Sequence, residues 1–384
     1  MTLPASDAAP QNQPKKERIL VAMSGGVDSS VAAGLLLEQG YEVVGVTLHL
    51  WDYPEDGGTK GRCCAPEDIH DARRVADHLG FSHYAFDRRA LFEKEVVTPF
   101  VEDYLAGKTP SPCVRCNRGV KVKELVGLAD RLGASHIATG HYAQVERGED
   151  GRPELLRGTD KSKDQSYFLH MLPDETLSRF IFPLGGMKKA DVRARAVEWG
   201  LPGANKGESQ ELCFVPTGRY DELVTLRAPE RVRPGRILAG DGRVLGEHTG
   251  VHKFTRGQRR NLGVATGERA YVVKTDPLSG DVQLGTPEEL LTASIWVSEL
   301  TLRGGAELPL RADVAIRYQG KLASAQIVAA PSAPELGAGP HAQIVFDEPI
   351  AAPGAGQYAV FFRGETVLGG GVIEATPEPP RPST

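Results

Sequence analysis

The chain has 384 residues, 40% of them hydrophobic and 25% charged, and a formal net charge of −5. This composition is that of a globular protein with two or three domains, and no apolar run approaches the ~18 residues that span a membrane. Residues 1–18 lack the apolar core of a secretory signal, so the five cysteines predict the reducing cytoplasm. Residues 1–16 and 376–384 are polar and proline-rich, and we expect them to form disordered tails.

The first half of the sequence repeats an apolar strand, a loop and an amphipathic helix. Strands are predicted at residues 19–22, 43–48, 83–86 and 136–139, and helices at 29–39, 66–79, 90–105 and 119–132. Strands that alternate with helices predict an α/β domain with a doubly wound parallel sheet. In such sheets ligands bind beyond the carboxyl ends of the strands, where Leu48 and Gly140 lie.

The second half of the sequence is richer in strand patterns. Short β-type runs separated by glycine predict a small β-rich domain over residues 218–290. Alternating apolar residues further on predict a C-terminal β-barrel over residues 291–375. The α/β domain then covers residues 17–217 and is expected to carry the chemistry.

The sequence ILVAMSGGVDSS, residues 19–30, predicts a buried strand, a glycine loop and the start of a helix. Gly25 and Gly26 carry no Cβ and let the backbone approach a ligand closely. The N–H groups of a helix start attract anions, so this loop is expected to bind phosphates. A kinase-type loop has a lysine after its last glycine, and this loop has none.

Three cysteines lie in polar segments. Cys113 and Cys116 belong to TPSPCVRCN, which its prolines predict to be a loop that leads into a basic helix. A thiol at that helix start, beside Arg115 and Arg118, is expected to have a lowered pKa. If the distant loop of Cys213 meets this one, Cys116 and Cys213 form a redox or persulfide pair.

Two further sets of residues could bind a metal, but other interpretations are preferred for both. Cys63 and Cys64 could bind zinc with Cys113 and Cys116, although adjacent cysteines suit one tetrahedral site poorly. Three histidines near the second helix could bind a metal, but a solvated helix face is the preferred interpretation; they are His70, His78 and His83.

The segment between Arg227 and Arg260 has nine basic and three acidic residues inside a negatively charged protein. A local basic face is typical of a protein that binds a phosphate backbone. A solvated surface without a partner explains the same pattern.

Nine sequence motifs, taken in order, resemble the bacterial tRNA-specific 2-thiouridylases, ATP pyrophosphatases of the PP-loop superfamily. The motifs are SGGVDSS, TPSPCVRCN, ATGHYA, LLRGTDKSKDQSYFL, ELCFV, GEHTGVHKFTRGQRRNLG, IRYQG, VFDEPIAAPGAGQYAVFF and LGGGVIE. The resemblance covers nearly the whole chain outside the tails. It implies a catalytic domain, a small linking domain and a C-terminal barrel.

The resemblance also implies a reaction. ATP adenylates O2 of the wobble uridine of tRNA, and a persulfide on Cys213 delivers sulfur to C2. Cys116 then attacks the persulfide, which releases 2-thiouridine and leaves a Cys116–Cys213 disulfide. The implied partners are tRNA and a persulfide-donating sulfur carrier or a cysteine desulfurase.

Individual site residues carry over from the resemblance. The residues implied to bind ATP are Ala22, Met23, Ser24, Gly25, Gly26, Val27, Asp28, Ser29, Leu48 and Gly140. Asp28 is also the implied ligand of Mg²⁺, which prefers hard oxygen donors. The residues implied to contact tRNA or its target base are Ser111, Pro112, Cys113, His141, Lys163, Asp164, Gln165, Arg317, Tyr318 and Gln357.

The chain departs from the family pattern at one position, because Cys113 stands where many members have Asp. Cys113, Cys116 and Cys213 could therefore hold an iron–sulfur cluster, although full ligation needs a fourth ligand. Two other functions stay open: an adenylating synthetase with a small-molecule substrate, and a non-catalytic RNA-binding protein with a structural metal.

Overall fold

The computed structural model describes residues 16–52, 66–207, 212–215, 218–330 and 340–374. Cys63, Cys64 and the predicted tails, apart from residue 16, lie outside these ranges. Within the described residues, no helix combines the length and apolarity needed to cross a membrane.

The helices of the described residues lie mostly in the first two thirds of the chain. They are α1 Val27–Glu38, α2 Pro66–Leu79, α3 Arg89–Phe92, α4 Thr98–Leu105, α5 Pro112–Arg115, α6 Val122–Leu132, α7 Asp174–Leu177, α8 Lys189–Glu198 and α9 Tyr220–Arg227. Two π-helical segments connect helices end to end, Glu93–Val97 between α3 and α4 and Cys116–Lys121 between α5 and α6.

The strands fall into three sheets. They are β1 Arg18–Ala22, β2 Glu42–His49, β3 Ser82–Asp87, β4 His136–Thr139, β5 Ala143–Arg147, β6 Pro153–Arg157, β7 Phe180–Ile181, β8 Gly235–Leu238, β9 Val244–His248, β10 Tyr271–Thr275, β11 Val282–Gly285, β12 Leu291–Leu302, β13 Leu310–Ala315, β14 Ala323–Ala329, β15 Ala342–Ala351, β16 Tyr358–Arg363 and β17 Thr366–Ile373.

The first sheet is parallel and has the strand order β3-β2-β1-β4-β7. Ile19 and Val21 of β1 pack with apolar residues of α1 and α2, whereas Leu20 faces the cluster that includes α6. Helices therefore cover both faces, and the predicted doubly wound sheet is confirmed. The strand order reverses between β1 and β4, which is where such sheets bind ligands.

Two helix starts differ from the prediction. Helix α1 begins at Val27, and the hydroxyls of Ser29 and Ser30 donate to the carbonyl of Gly26. The segment around Cys113 is helical and begins at Pro112, so the expected loop was wrong. Proline is tolerated at the first helical position because the N–H that it lacks has no partner there in any helix.

The second sheet has the order β10-β11-β8-β9 and lies in the segment that was predicted to be a small β-rich domain. Some of the basic residues between Arg227 and Arg260 form ion pairs with acidic residues of the protein itself. Arg227 and Arg231 form ion pairs with Glu93 and Glu102 of the α/β domain, at 3.0 Å and 2.6 Å. These arginines therefore hold the middle of the chain against the α/β domain.

The third sheet closes into a six-stranded barrel, as predicted. Its order is β12-β15-β14-β13-β16-β17, and the β12–β17 pairing completes the ring. The β5–β6 hairpin of the α/β domain extends this sheet, with Leu156 paired to Thr366. Tyr358 and Val360 of the barrel belong to the same buried cluster as the α/β core. A cleft opens at this junction.

Candidate active site

The loop after β1 is shaped by a glycine that no other residue can replace without strain. Gly25 has φ +69°, and a Cβ added there would lie 2.4 Å from the main-chain oxygen of Asp68. Gly26 precedes the first turn of α1, and in the described part of the chain no side chain caps that turn. The N–H groups at the start of α1 are therefore available to an anion.

The loop after β4 packs directly on the loop after β1. A Cβ added at Gly140 would lie 2.8 Å from the nitrogen of Ser29 and 2.9 Å from the carbonyl carbon of Asp28. Only glycine fits at this contact. The two strand ends on either side of the order reversal thus meet, as the sequence predicted for a doubly wound sheet.

A cleft of about 1170 Å³ opens at these strand ends and reaches the barrel. Most of the predicted site residues line it: Ala22, Met23, Ser24, Gly26, Val27, Asp28, Ser29, Leu48, Ser111, Pro112, Cys113, Gly140, His141, Lys163, Gln165, Arg317, Tyr318 and Gln357. Gly25, Asp164, Cys116 and Cys213 do not line it. One cavity therefore joins residues of the loop Ser24–Ser29, called here the phosphate loop, the exposed Cys113 and three predicted residues of the C-terminal domain, Arg317, Tyr318 and Gln357.

Cys116 does not have the lowered pKa that its neighbours in sequence suggested. Its side chain is buried at 5% exposure, and burial raises the pKa of the thiol, although the charge of Lys121 opposes this. Arg115 is paired with Asp103 at 3.1 Å and Arg118 with Glu299 at 2.6 Å. The expectation was wrong because it counted charges in sequence and not burial.

Cys213 is half-buried beside a large aromatic contact. Phe214, which is 2% exposed, packs edge-to-face against Phe100 and Phe92 with ring centroids 5.0 Å and 5.6 Å apart. Cys116 belongs to an extended buried cluster, and Cys213 packs against the same cluster. No disulfide joins Cys113, Cys116 and Cys213 within the described residues, and Cys113 is the exposed one of the three.

Comparison with known proteins identifies the family. Family models match residues 17–217 (tRNA methyl transferase HUP domain), 225–286 (tRNA methyl transferase PRC-barrel domain) and 291–373 (aminomethyltransferase beta-barrel domain). The tRNA-specific 2-thiouridylase MnmA of Sorangium cellulosum is 56% identical over 96% of this chain and 95% of its own length. The chain belongs to the tRNA-specific 2-thiouridylase family.

Two further comparisons have lower similarity. The tRNA-specific 2-thiouridylase MnmA of Solibacter usitatus is 45% identical over 94% of this chain and 100% of its own length. A solved 4-thiouridine synthetase–RNA complex with bound ATP is 17% identical, with a TM-score of 0.32, over 56% of this chain and 51% of that chain. The last likeness is too weak to argue from.

The hypothesis that this 2-thiouridylase family member holds an iron–sulfur cluster is not supported. Across the described ranges, no group of three or more His, Cys, Asp or Glu residues is placed to hold a metal ion. Cys113, Cys116 and Cys213 all lie within those ranges and form no such group. The histidines near α2 do not form one either: His83 bonds Thr47 at 2.8 Å, and His78 bonds the carbonyl of Trp199 at 2.9 Å.

Asp164 holds the segment implied to face tRNA, and its carboxylate points inward. It accepts hydrogen bonds from Arg157 at 2.7 Å and from the main-chain N–H groups of Gly158 and Ser166 at 3.0 Å and 3.1 Å. Its oxygens are therefore occupied inside the protein. Gln165 accepts a hydrogen bond from the main-chain N–H of Tyr142 at 3.1 Å, which fixes this segment against the loop after β4.

His141 lies in the cleft as a neutral imidazole. Burial lowers its pKa to about 3, and the nearby charge of Lys121 acts in the same direction. Its Nδ1 lies 2.7 Å from the hydroxyl of Thr139. A neutral ring can exchange hydrogen bonds with a base or a ribose without placing a second charge in the cleft.

The sequence did not predict several polar residues of the cleft. These are Asp68, Asn117, Lys121, Lys189, Arg193, Lys206 and Gln319. Each belongs to a different element from the phosphate loop, and most stand in segments with no motif of their own. Asn117 and Gln319 lie within the motifs TPSPCVRCN and IRYQG, and the basic pattern after Cys116 pointed to a helix and not to a site.

Proposed function

We propose that this protein transfers sulfur to C2 of the wobble uridine of tRNA, with breakdown of ATP to AMP and pyrophosphate. The observation that carries the proposal is the single cleft that joins a phosphate loop, Cys113 and the barrel residues Arg317 and Tyr318. Membership of the 2-thiouridylase family supports the same reaction.

The first step is adenylation of the base. The oxygen O2 of uridine attacks the α-phosphate of ATP, pyrophosphate leaves, and C2 acquires a leaving group. The loop Ser24–Ser29 and the start of α1 bind the phosphates through main-chain N–H groups and the hydroxyls of Ser24 and Ser29. Leu48 and Gly140 flank the nucleoside.

Asp28 is the proposed Mg²⁺ ligand. Its carboxylate stands at the start of α1 and lines the cleft. One carboxylate is sufficient, because proteins commonly hold Mg²⁺ with one or two carboxylates together with substrate phosphates. Bound Mg²⁺ would neutralise charge on those phosphates.

The second step is sulfur transfer. The terminal sulfur of a Cys213 persulfide attacks C2, and AMP leaves. The Cys116 thiolate then attacks the inner sulfur of the C2–S–S–Cys213 unit, which breaks the S–S bond and releases the thiocarbonyl. The resulting Cys116–Cys213 disulfide must be reduced by an external thiol. Cys213 must then receive a new persulfide sulfur from a donor protein, which is a persulfide-donating sulfur carrier or a cysteine desulfurase. The reducing cytoplasm supplies the thiol reductant, and the donor protein supplies the persulfide sulfur.

The tRNA is expected to contact both sides of the cleft. The target base must leave the stacked anticodon loop to reach Ser111, Pro112 and Cys113. The residues proposed to hold the flanking RNA are His141, Lys163, Gln165, Arg317, Tyr318 and Gln357. Asp164, whose carboxylate points inward, is proposed to position this segment and not to contact the RNA. Arg259 and Arg260, which form no ion pair with any described residue, are available to the phosphate backbone.

The test is a thiolation assay. Unmodified tRNA is incubated with ATP, Mg²⁺ and a persulfide donor, digested, and examined by mass spectrometry for 2-thiouridine. Wild type should form it, Cys116→Ser and Cys213→Ser should not, and Cys113→Ala should retain it. A requirement for all three thiols in iron-loaded protein would overturn the two-thiol mechanism.

The same assay separates the alternative functions. ATP breakdown that does not depend on tRNA would favour a small-molecule synthetase. Binding of tRNA without ATP breakdown, indifferent to Cys213→Ser, would favour an RNA-binding protein. A methylated and unthiolated nucleoside would favour the methyl transfer named in the family-model descriptions.

A further inference from the structure

A lysine from a distant helix neutralises the acidic residue of the phosphate loop. Lys189 is the first residue of α8, and its Nζ lies 2.7 Å from both carboxylate oxygens of Asp28. The lysine side chain is 12% exposed and lines the cleft together with the phosphate loop. The contact joins residues 161 positions apart in the sequence.

The backbone of Lys189 is fixed, whereas its side chain can change partner. The main-chain N–H of Lys189 donates to the carboxylate of Asp160 at 3.0 Å, which anchors the start of α8. The lysine side chain ends four methylene groups away, close to the ring of Tyr142, with 5.6 Å between Nζ and the ring centroid. A swing of the ammonium group therefore needs no movement of α8.

Asp28 keeps a second donor if Lys189 leaves. The hydroxyl of Tyr142 donates to Oδ1 of Asp28 at 2.8 Å. The carboxylate is 34% exposed, so water or a metal ion can reach it. Loss of the lysine contact thus does not leave a buried charge without a partner.

Electrostatic repulsion between the Asp28 carboxylate and a bound anion favours a contact between the Lys189 ammonium group and the anion. The loop Ser24–Ser29 contains no basic residue, although it is built to receive a highly charged anion. A carboxylate beside that anion repels it, and an ammonium group between the two offsets the repulsion. Lys189, whose Nζ lies 2.7 Å from the Asp28 carboxylate, lines the same cleft and can supply that ammonium group.

We propose that Lys189 is a phosphate-binding residue of the ATP site, which passes from the Asp28 carboxylate to the phosphate oxygens of ATP and leaves Asp28 to Mg²⁺. The inference rests on the proposed function, since that function makes ATP the ligand. It assigns to α8 the basic residue that the phosphate loop itself lacks. The lysine acts on the β- and γ-phosphates and not on the nucleoside.

The test compares ligands that carry and lack phosphates. Dissociation constants for ATP, pyrophosphate and adenosine are measured by calorimetry, without tRNA or a sulfur donor. Lys189→Met should raise the Kd for ATP and for pyrophosphate at least about tenfold, as expected for one lost charge-assisted contact, and leave adenosine unchanged. Lys189→Arg should retain most of the affinity.

The matched control is the neighbouring lysine. Lys188 is exposed and forms no ion pair with any described residue, so Lys188→Met should leave all three constants unchanged. Thermal denaturation of each variant checks folding, and Lys189→Gln provides a second neutral side chain if the Met variant melts early. An unchanged Kd for ATP, or equal losses for ATP and adenosine, would overturn the inference.

Failure of this inference is distinguishable from failure of the proposed function. Binding through Lys189 in a protein that forms no 2-thiouridine would refute the function and leave the phosphate contact standing. Normal 2-thiouridine formation by Lys189→Met, with wild-type affinity for ATP, would refute only the phosphate contact.

Discussion

Arg303, at the end of the first barrel strand, donates from Nη2 to Oδ1 of Asp174 in the α/β domain at 2.7 Å. Its Nη1 donates to the carbonyl of Leu172, and the arginine is 3% exposed. Burial lowers the pKa of the guanidinium, while the Asp174 carboxylate opposes the shift. One cation therefore ties the barrel to the α/β domain.

Replacing this cation should destabilise the whole protein. Arg303→Met leaves a buried carbonyl and a half-buried carboxylate without their donor, at a cost of about 2–4 kcal/mol. Thermal denaturation should show a clear drop in Tm. The control is Arg311→Met, which removes an exposed pair with Asp347 and should cost no more than about 1 kcal/mol. Equal shifts for both variants would contradict the prediction.

Gly25→Ala should abolish ATP binding. The added methyl group would lie 2.4 Å from the main-chain oxygen of Asp68 at a backbone angle of +69°, so the phosphate loop must deform. Calorimetry with ATP measures the effect. Gly127→Ala, in the interior of α6 with no atom within 4 Å of the new methyl group, should retain ATP affinity and gain about 1 kcal/mol of stability.

Phe214→Ala should impair Cys213 selectively. Truncation removes three aromatic contacts from the residue next to that thiol and costs about 3–5 kcal/mol. We expect faster alkylation of Cys213 in a mass-spectrometric assay and loss of 2-thiouridine formation, with the Kd for ATP unchanged. Phe346→Ala creates a similar cavity in the barrel core and should leave Cys213 alkylation unaltered.

His170 should make the folded state sensitive to acid. Burial lowers its pKa to about 4, and Nδ1 donates to the carbonyl of Tyr167 at 2.7 Å. Between pH 6.5 and about 4 the unfolded chain binds a proton that the folded chain does not. The free energy of unfolding is therefore unaffected by protonation of His170 above pH 6.5. As the pH falls from 6.5 towards about 4, it decreases by at most about 1.4 kcal/mol per pH unit.

The measurement is the pH dependence of urea unfolding for wild type and His170→Asn. The variant should show a shallower loss of stability in this window, whatever its absolute stability. His141, whose pKa burial lowers to about 3, contributes to the slope in both proteins and cancels in the comparison. Identical slopes would contradict the assignment to His170.

The parallel sheet was predictable because its signals are local. The run Ile19–Ala22 reads as a buried strand, and β4 was predicted with its exact bounds, His136–Thr139. Pro112 misled the prediction because proline opposes helix only where an N–H is required, and the first helical position does not require one. The π-helical segment Cys116–Lys121 has no signal in the sequence that we used.

The cleft was only partly predictable because its charges come from separate elements. The glycines of the phosphate loop predict its role from the sequence. Nothing near Lys189 in the sequence predicts its contact with Asp28. The burial of the Cys116 thiol could not be predicted from the sequence either. The sequence shows Arg115 beside Cys116, whereas the fold turns the arginine to Asp103 and encloses the thiol.

The hairpin β5–β6 has a consequence for how this protein could be divided or recombined. It belongs to the α/β part of the chain, yet Leu156 pairs with Thr366, and the main-chain N–H of Arg157 donates to the carbonyl of Glu365 at 2.9 Å. A fragment ending before β12 would leave this strand edge unpaired and open to pairing between molecules. The barrel is therefore not an interchangeable module: a replacement barrel must offer an edge that accepts the hairpin.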